Sequence, residues 1–402
     1  MSDFQSRQII EALRSGISSL DVGEYFSSAR PAVLSEIQSA LDAASETHTA
    51  GGRIITGKYG EGKSHLLNTV FAMAHRQNMV VSKVTLSKET PMSGIARLYP
   101  KILQGTYLPG QVQPGIADVF EGLSANMQEV SSLLEYCLTQ LEVNKLYYVL
   151  KSYFGTQDEE EKFLLRGDIE GDFMAPAAIR KIYRRIFNEP AVKGSNFVKS
   201  KHIPDYIAFL ARLFEGRGYG GWVILFDEAE LIGRLGRKSR HAAYLNMDMF
   251  LHPGKASGVY SIFVFNASFA PDVIEAKHEY ENLDNNVSLF EGQRPRIEAI
   301  LSEIATAHQL APLNRGEVRE IMEKIREHHA SSYDWQPQID AERLTLATEK
   351  HGYLLRTRIR AAVEILDQLY QYGEAGDIRS GALEQLTFEE DEDVDLESFL
   401  QD

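Results

Sequence analysis

Gly57-Lys58-Tyr59-Gly60-Glu61-Gly62-Lys63-Ser64 fits the pattern G-x-x-x-x-G-K-[ST] at every fixed position. Backbone that must wrap an anion needs glycines, whose missing Cβ leaves the N–H groups free to face the ligand. In this pattern Lys63 reaches the β- and γ-phosphates of a nucleotide, and the Ser64 hydroxyl is placed to bind Mg²⁺. The flanks agree. Arg53-Ile54-Ile55-Thr56 before the loop reads as a buried strand, and His65-Leu66-Leu67-Asn68-Thr69-Val70-Phe71 after it reads as a helix whose N-terminus faces the phosphates. That context disfavours the competing reading, a glycine loop without a ligand. The expected cofactors are ATP and Mg²⁺, and the expected binding residues are Gly57, Lys58, Tyr59, Gly60, Glu61, Gly62, Lys63, Ser64 and His65.

A second stretch, Gly221-Trp222-Val223-Ile224-Leu225-Phe226-Asp227-Glu228, is an apolar strand ending in two carboxylates, the Walker B arrangement. Asp227 is expected in the magnesium shell with Ser64, and Glu228 is expected to orient and deprotonate the attacking water. By itself an Asp-Glu pair after a strand is a common helix start, so the weight comes from its pairing with the upstream loop. A Glu directly after the Asp also favours an ATP hydrolase over a kinase, because hydrolysis needs a base for water.

The chain has 402 residues, enough for two or three domains. Its 44% hydrophobic and 25% charged content is that of an ordinary globular protein. No apolar run approaches the roughly 20 residues that span a bilayer. Met1 to Gln8 has neither a basic n-region nor an apolar h-region, so no signal peptide is expected. The single cysteine, Cys137, excludes an intrachain disulfide; it points to the cytoplasm and reads as a small core residue. Net charge is −15, but Phe388 to Asp402 holds eight acids and no base, about half of the imbalance. An acidic balance argues against a protein that coats nucleic acid by itself, while leaving room for a local basic channel.

Periodicity then orders the rest. Ile9, Ile10 and Leu13 mark a short amphipathic helix, and Pro31 opens another through Val33, Leu34, Ile37 and Leu41. Met79 to Val84 is a second strand. The residues between it and Walker B far exceed a plain crossover and read as a helical insertion, with Val130–Phe154 and Ala177–Phe187 at helical spacing and loops at 105–118 and 167–176. Val259 to Asn266 is a further buried strand, and a short last strand is expected within His308 to Leu313. Asn314 to Tyr372 turns helical, interrupted around Tyr333 to Pro337. The domain reading is an N-terminal helical segment (1–50), a P-loop α/β core (51–312) with a helical insertion at about 97–205, a helical lid (313–375) and an acidic tail (376–402). The tail mixes acids with Phe388, Val394, Leu396, Phe399 and Leu400, which suits a segment that docks on a basic groove of a partner or lies across the protein's own basic surface as a nucleic-acid mimic, beside the plainer reading of an idle terminus.

Polar residues at strand and helix ends supply the other catalytic candidates. Asn266 ends a strand where ATPases of this class sense the γ-phosphate; the plain alternative is a turn-forming Asn. Arginines complete such sites by offsetting charge on the phosphates. Arg294 and Arg296 are expected as fingers for a neighbouring protomer, and Arg356, with Arg360, as a lid residue acting in cis. Arg234, Arg237, Lys238 and Arg240 form a basic turn that suits either a finger or nucleic-acid phosphates. For each, a solvated surface charge is the plain alternative. His328-His329 lacks metal-site spacing and reads as helix surface. Tyr147, Tyr148, Tyr153 and Phe154 read as insertion core, and Tyr25 with Phe26 as a cover for adenine.

Arg7-Gln8-Ile9-Ile10-Glu11-Ala12-Leu13-Arg14-Ser15-Gly16 resembles the opening of the BREX-type ATP-binding proteins of bacterial phage-defence loci. The loop 57–64, the segment Val80 to Pro91 with its Ser87-Lys88-Glu89-Thr90-Pro91, and Phe226-Asp227-Glu228-Ala229-Glu230 are similar to the same family. Ala311-Pro312-Leu313 leading to His329 through Trp335, and Arg356 with Arg360 before Ile365-Leu366-Asp367, match more loosely. The resemblance covers most of residues 7–370. It departs at Phe265-Asn266-Ala267-Ser268, where a Gly-Thr ending is expected, and in the acidic tail. It implies an ASCE/AAA+-like P-loop ATPase, α/β with a parallel sheet flanked by helices. That ATPase would be a cytoplasmic homo-oligomer, working beside a helicase and other defence proteins on DNA, touched directly or through a partner. Two readings stand: an ATPase whose hydrolysis loads or remodels a DNA-associated partner, and an ATP-gated assembly scaffold with little turnover. Asp227 with Glu228 favours the first.

Overall fold

The computed structural model describes residues 3–15, 22–23, 30–123, 127–192, 194, 196–286, 292–351 and 354–375. It is a mixed α/β structure built on a six-stranded sheet of order β3-β2-β4-β5-β1-β6. The strands are β1 (Gly51–Gly57), β2 (Val80–Thr85), β3 (Thr106–Tyr107), β4 (Trp222–Asp227), β5 (Val259–Asn266) and β6 (His308–Gln309). Every pairing is parallel except β2 with β3.

Parallel strands are covered on both faces, so they read as continuous apolar runs, and their alternation shows only in what each face meets. Ile55, Val81, Val223, Leu225, Ile262 and Val264 pack against α2 (Pro31–Glu46) and α3 (Lys63–Arg76). Val80, Val84, Ile224, Phe226, Phe263 and Phe265 face the opposite layer. That layer includes α4 (Ile95–Gln104), then α5 (Met127–Thr139), α6 (Lys145–Gly155), α7 (Glu159–Gly167) and α8 (Pro176–Phe187). It continues with α9 (Lys199–Gly216), α10 (Arg237–Leu251) and α11 (Arg294–Ala305).

The residues read as a loop at 105–118 are partly ordered backbone: Thr106–Tyr107 forms the antiparallel edge strand and Ala117–Phe120 a 3₁₀ turn. Gly105 permits the edge, since a Cβ there would sit 2.3 Å from the Lys83 carbonyl oxygen. The second loop, 167–176, carries a π-helical turn, Asp168–Asp172. Its fully buried Asp168 pairs with Lys145 at 2.7 Å and accepts from the Tyr206 hydroxyl at 2.8 Å. The rings of Phe197, Phe173 and Tyr206 surround the Lys145 ammonium, while Tyr147, Tyr148, Tyr153 and Phe154 pack elsewhere in the same large core, where Cys137 is also buried.

A third core joins the first described helix to the last three. The helices α12 (Arg315–Tyr333), α13 (Ala341–Glu349) and α14 (Leu355–Tyr372) pack with α1 (Asp3–Ser15), which contributes Ile9, Ile10 and Leu13. The helix-surface reading of His328-His329 is wrong. Both are buried, and His329 stands between the Trp335 indole N–H (2.9 Å) and Asp367 (3.0 Å). Asp367 also binds Arg14 at 2.8 Å, so the histidine helps tie α1 to α12 and α14. Spacing alone could not reveal this, because a histidine satisfied on both nitrogens is compatible with a helix's buried stripe. No helix of the described residues is long and apolar enough to cross a membrane.

Candidate functional site

The C-terminal ends of β1 and β4 open into a cavity of roughly 370 Å³. The loop after β1 turns through Gly60 (φ 76°) and Gly62 (φ 88°), left-handed backbone that favours glycine, and Gly62 then caps α3. The Glu61 carboxylate accepts from the Lys58 N–H at 2.7 Å, which closes the loop on itself. Lys63 donates to the Gly57 carbonyl at 3.1 Å and to Lys58 at 3.4 Å. Tyr59, Gly60, Gly62, Lys63, Ser64 and His65 all line the cavity. Gly57, Lys58 and Glu61 belong to the same turn without lining it.

Asp227 and Glu228 line the opposite wall. Asp227 is the last residue of β4, 6% exposed, and its carboxylate accepts the Glu228 backbone N–H at 3.0 Å. Glu228 is left-handed (φ 59°, ψ 35°), unusual for a residue with a Cβ, and this conformation lets the chain leave the sheet in a single step. Burial, and then the neighbouring Asp227 charge, hold its carboxyl above the usual carboxylate range, opposed by Lys63 and Arg234. Glu230 is 1% exposed, its Oε2 meets no hydrogen-bond donor among the described residues, and burial pushes it up to about 7 against the pull of Lys63.

Helix α14 supplies the third wall. Arg356 lines the cavity and donates to the Tyr59 hydroxyl at 3.1 Å, while its Nε is buried without a hydrogen-bond partner among the described residues. Leu354 touches the loop, with side-chain carbon 3.5 Å from where a Cβ of Gly60 would stand. Leu13, Val22, Ile321, Leu355 and Ile359 make one side of the cavity apolar. Sequence reasoning missed these five, for they come from α1, α12, α14 and the link at Val22, each reading as ordinary core. The sequence-based candidates for an apolar cover, Tyr25 and Phe26, lie outside the described residues, as does the acidic tail.

Two cations were also missed. Lys83 lines the cavity from β2, is held by the buried Asn68 side chain, and is pulled down by burial and up by Asp227. A signal existed: a lysine inside the apolar run Val80 to Val84 is costly unless it has a buried counterpart. Arg30 donates to the Glu61 carbonyl at 2.7 Å and the Ala311 carbonyl at 2.6 Å, clipping the loop to the segment that leads into α12.

The remaining candidates stand apart from the cavity. Asn266 lies beside Gly57 across the β1–β5 pairing, but its side-chain oxygen accepts the Ser268 N–H at 3.1 Å, a turn-forming contact. Arg294 and Arg296 open α11, about half exposed, paired with Glu298 at 2.7 Å and Asp248 at 2.5 Å. In the basic turn, Arg240 is withdrawn from any nucleic-acid role. It is 2% exposed, and its Nε and Nη2 both reach Glu279 Oε1, at 3.0 and 2.7 Å.

These groups fit a magnesium nucleotide. The orphaned Arg356 Nε, Lys63 and the loop's N–H groups suit phosphate oxygens. Ser64 and Asp227 offer hard oxygen donors of the kind Mg²⁺ takes when phosphates and water complete its shell. A family model described as BREX system ATP-binding protein BrxC/D matches residues 1–132 and 178–379. No curated protein and no solved structure matches the chain.

Proposed function

The chain belongs to the BREX system ATP-binding protein BrxC/D family, whose role is in phage defence, and on that premise we propose that it binds and hydrolyses Mg-ATP to load or remodel a DNA-associated partner such as a helicase. One observation carries the reading: Lys63 and Ser64 of the loop, Asp227 and Glu228 of the strand end, and Arg356 of the lid line a single cavity. The strand order, with β5 between β1 and β4, supports the ASCE/AAA+-like assignment of the core.

In this reading the apolar side made by Leu13, Val22, Ile321, Leu355 and Ile359 holds the adenine, and the loop N–H groups with Lys63 hold the β- and γ-phosphates. Ser64 and Asp227 hold Mg²⁺, which offsets phosphate charge when bound. Glu228 takes the proton of a water that attacks the γ-phosphorus as the bond to the β–γ bridging oxygen breaks, releasing ADP and phosphate. Its raised carboxyl suits a base that must accept a proton. Arg356 binds phosphate from the lid, so nucleotide joins core to lid and its loss frees them. Asn266 has its carboxamide nitrogen to offer toward the γ-phosphate. Arg294 and Arg296, being exposed, serve a neighbouring protomer in a homo-oligomer.

ATP binding and turnover measured on wild type, Lys63→Ala and Glu228→Gln, with and without DNA, test the proposal. Binding lost in the first variant, and binding kept with turnover stalled in the second, support it. Wild-type binding without turnover under every condition would leave the scaffold reading instead.

A further inference from the structure

Charge is segregated within this acidic chain. Residues 173–204 hold seven Lys and Arg against one acid, Glu189, while the whole chain is at −15. Four of the seven fall on α8. That helix buries Ile179 and Tyr183 against the insertion core, where Tyr183 stacks edge-on against Tyr148 of α6 at 4.8 Å. Arg180, Lys181, Arg184 and Arg185 lie on the outer side and are exposed. With Ala177 and Asn188 they line a shallow depression.

Internal demands account for little of this. Arg185 is engaged by Glu161 of α7. Arg180, Lys181 and Arg184 have no ion-pair or hydrogen-bond partner among the described residues. No acid stands anywhere on α8, so no i,i+4 pair forms. The like-charged pairs Arg180–Arg184 and Lys181–Arg185 instead each destabilise an isolated helix by about 0.2–0.5 kcal/mol. Favourable interaction with the helix C-terminus covers only Arg184 and Arg185, in the last turn.

We propose that the outer face of α8 is a docking surface for the phosphate backbone of nucleic acid. Four residues of helix advance about 6 Å, so Arg180 and Arg184, and likewise Lys181 and Arg185, form two short rows of cations that can follow a line of phosphates. A protein partner would need an apolar anchor at the centre of its footprint. Here the only other described residues lining the depression are Ala177 and Asn188, at its two ends along the chain and neither a large apolar side chain, which suits contacts that position a backbone without reading bases. None of these residues lines the nucleotide cavity, so the surface stands whether or not the cavity hydrolyses ATP.

The test is binding of a labelled 30-mer, duplex and single-stranded, to the full chain across a salt series from 50 to 200 mM. The wild type is compared with Arg180→Gln/Lys181→Gln/Arg184→Gln and with Arg237→Gln/Lys238→Gln on the exposed part of the other basic turn. Binding of a fluorescent ATP analogue, unchanged in all three, checks the fold. Each lost phosphate contact flattens the slope of log affinity against log salt by about 0.9 for duplex and 0.7 for single strand. The triple variant should therefore flatten it by about 2–3 and bind at least tenfold more weakly at low salt, with the double variant near wild type. Preference for duplex or single strand then identifies the form of nucleic acid. Three results overturn the proposal: no binding by wild type at 50 mM salt, equal binding by wild type and the triple variant, or a larger loss in the double variant.

Discussion

Replacing Glu228 separates two costs that the fold carries at one position. Its backbone is left-handed (φ 59°, ψ 35°), which costs a residue with a Cβ roughly 1–2 kcal/mol that glycine does not incur. Its carboxyl is also held above the usual range by burial and Asp227. For an acid whose folded pKa is raised, the folded state binds more protons, so stability is lost as pH rises from the ordinary carboxyl range through the raised value. Glu228→Gln removes the charge and keeps the backbone strain. Glu228→Gly removes both, less about 0.5–1 kcal/mol for the added freedom of the unfolded chain. The expected order of stability at pH 8 is Gly, then Gln, then wild type, with Gly above Gln by about 0.5–1 kcal/mol. At pH 4 the wild type should rejoin Gln while the gap between Gly and Gln persists, because strain does not titrate. Denaturant midpoints at both pH values read this directly, and ATP turnover on the same samples should be stalled in both variants. A glycine variant less stable than the glutamine variant would refute the strain argument. Wild-type turnover in Glu228→Gln would remove the carboxylate from catalysis.

Other outcomes follow from particular contacts. Lys83→Met should tighten the Mg²⁺ dependence of nucleotide-analogue binding several-fold, because it removes a cation beside Asp227; an unchanged magnesium titration would exclude that coupling. Glu230→Gln should flatten the fall in stability between about pH 4.5 and 7, since the wild-type carboxyl is raised to about 7 and its ionised form disfavours the fold. Arg240→Met should cost about 3–5 kcal/mol by leaving Glu279 buried and unpaired, with much of that recovered in Arg240→Met/Glu279→Leu; unfolding midpoints decide it. Protomers carrying Lys63→Ala mixed with protomers carrying Arg296→Ala or Arg294→Ala should regain part of the turnover if an arginine acts between subunits, and normal hydrolysis by an assembled arginine mutant would exclude that arginine.

Local chemistry made part of this protein legible without coordinates. A phosphate-type loop announces itself because its glycines, lysine and serine fall within the single stretch 57–64, and the strands of a parallel sheet show as apolar runs because both faces are covered. The strand at 222–227, ending in Asp227 with Glu228 directly after it, was readable for the same reason. What sequence could not provide was proximity. Leu13 and Ile359 line one cavity though 346 positions separate them, and nothing in either helix marks it as a cavity wall rather than core. His329 looked like surface until the fold supplied Trp335 and Asp367 as its partners. Arg240 looked like a free cation until Glu279 was brought to it. The two-residue β3 eluded periodicity because so short an edge strand has no pattern to show. Burial and pairing depend on which distant segments meet, and that is decided by packing the whole chain, whereas turn chemistry and hydrophobic runs are decided within a few residues.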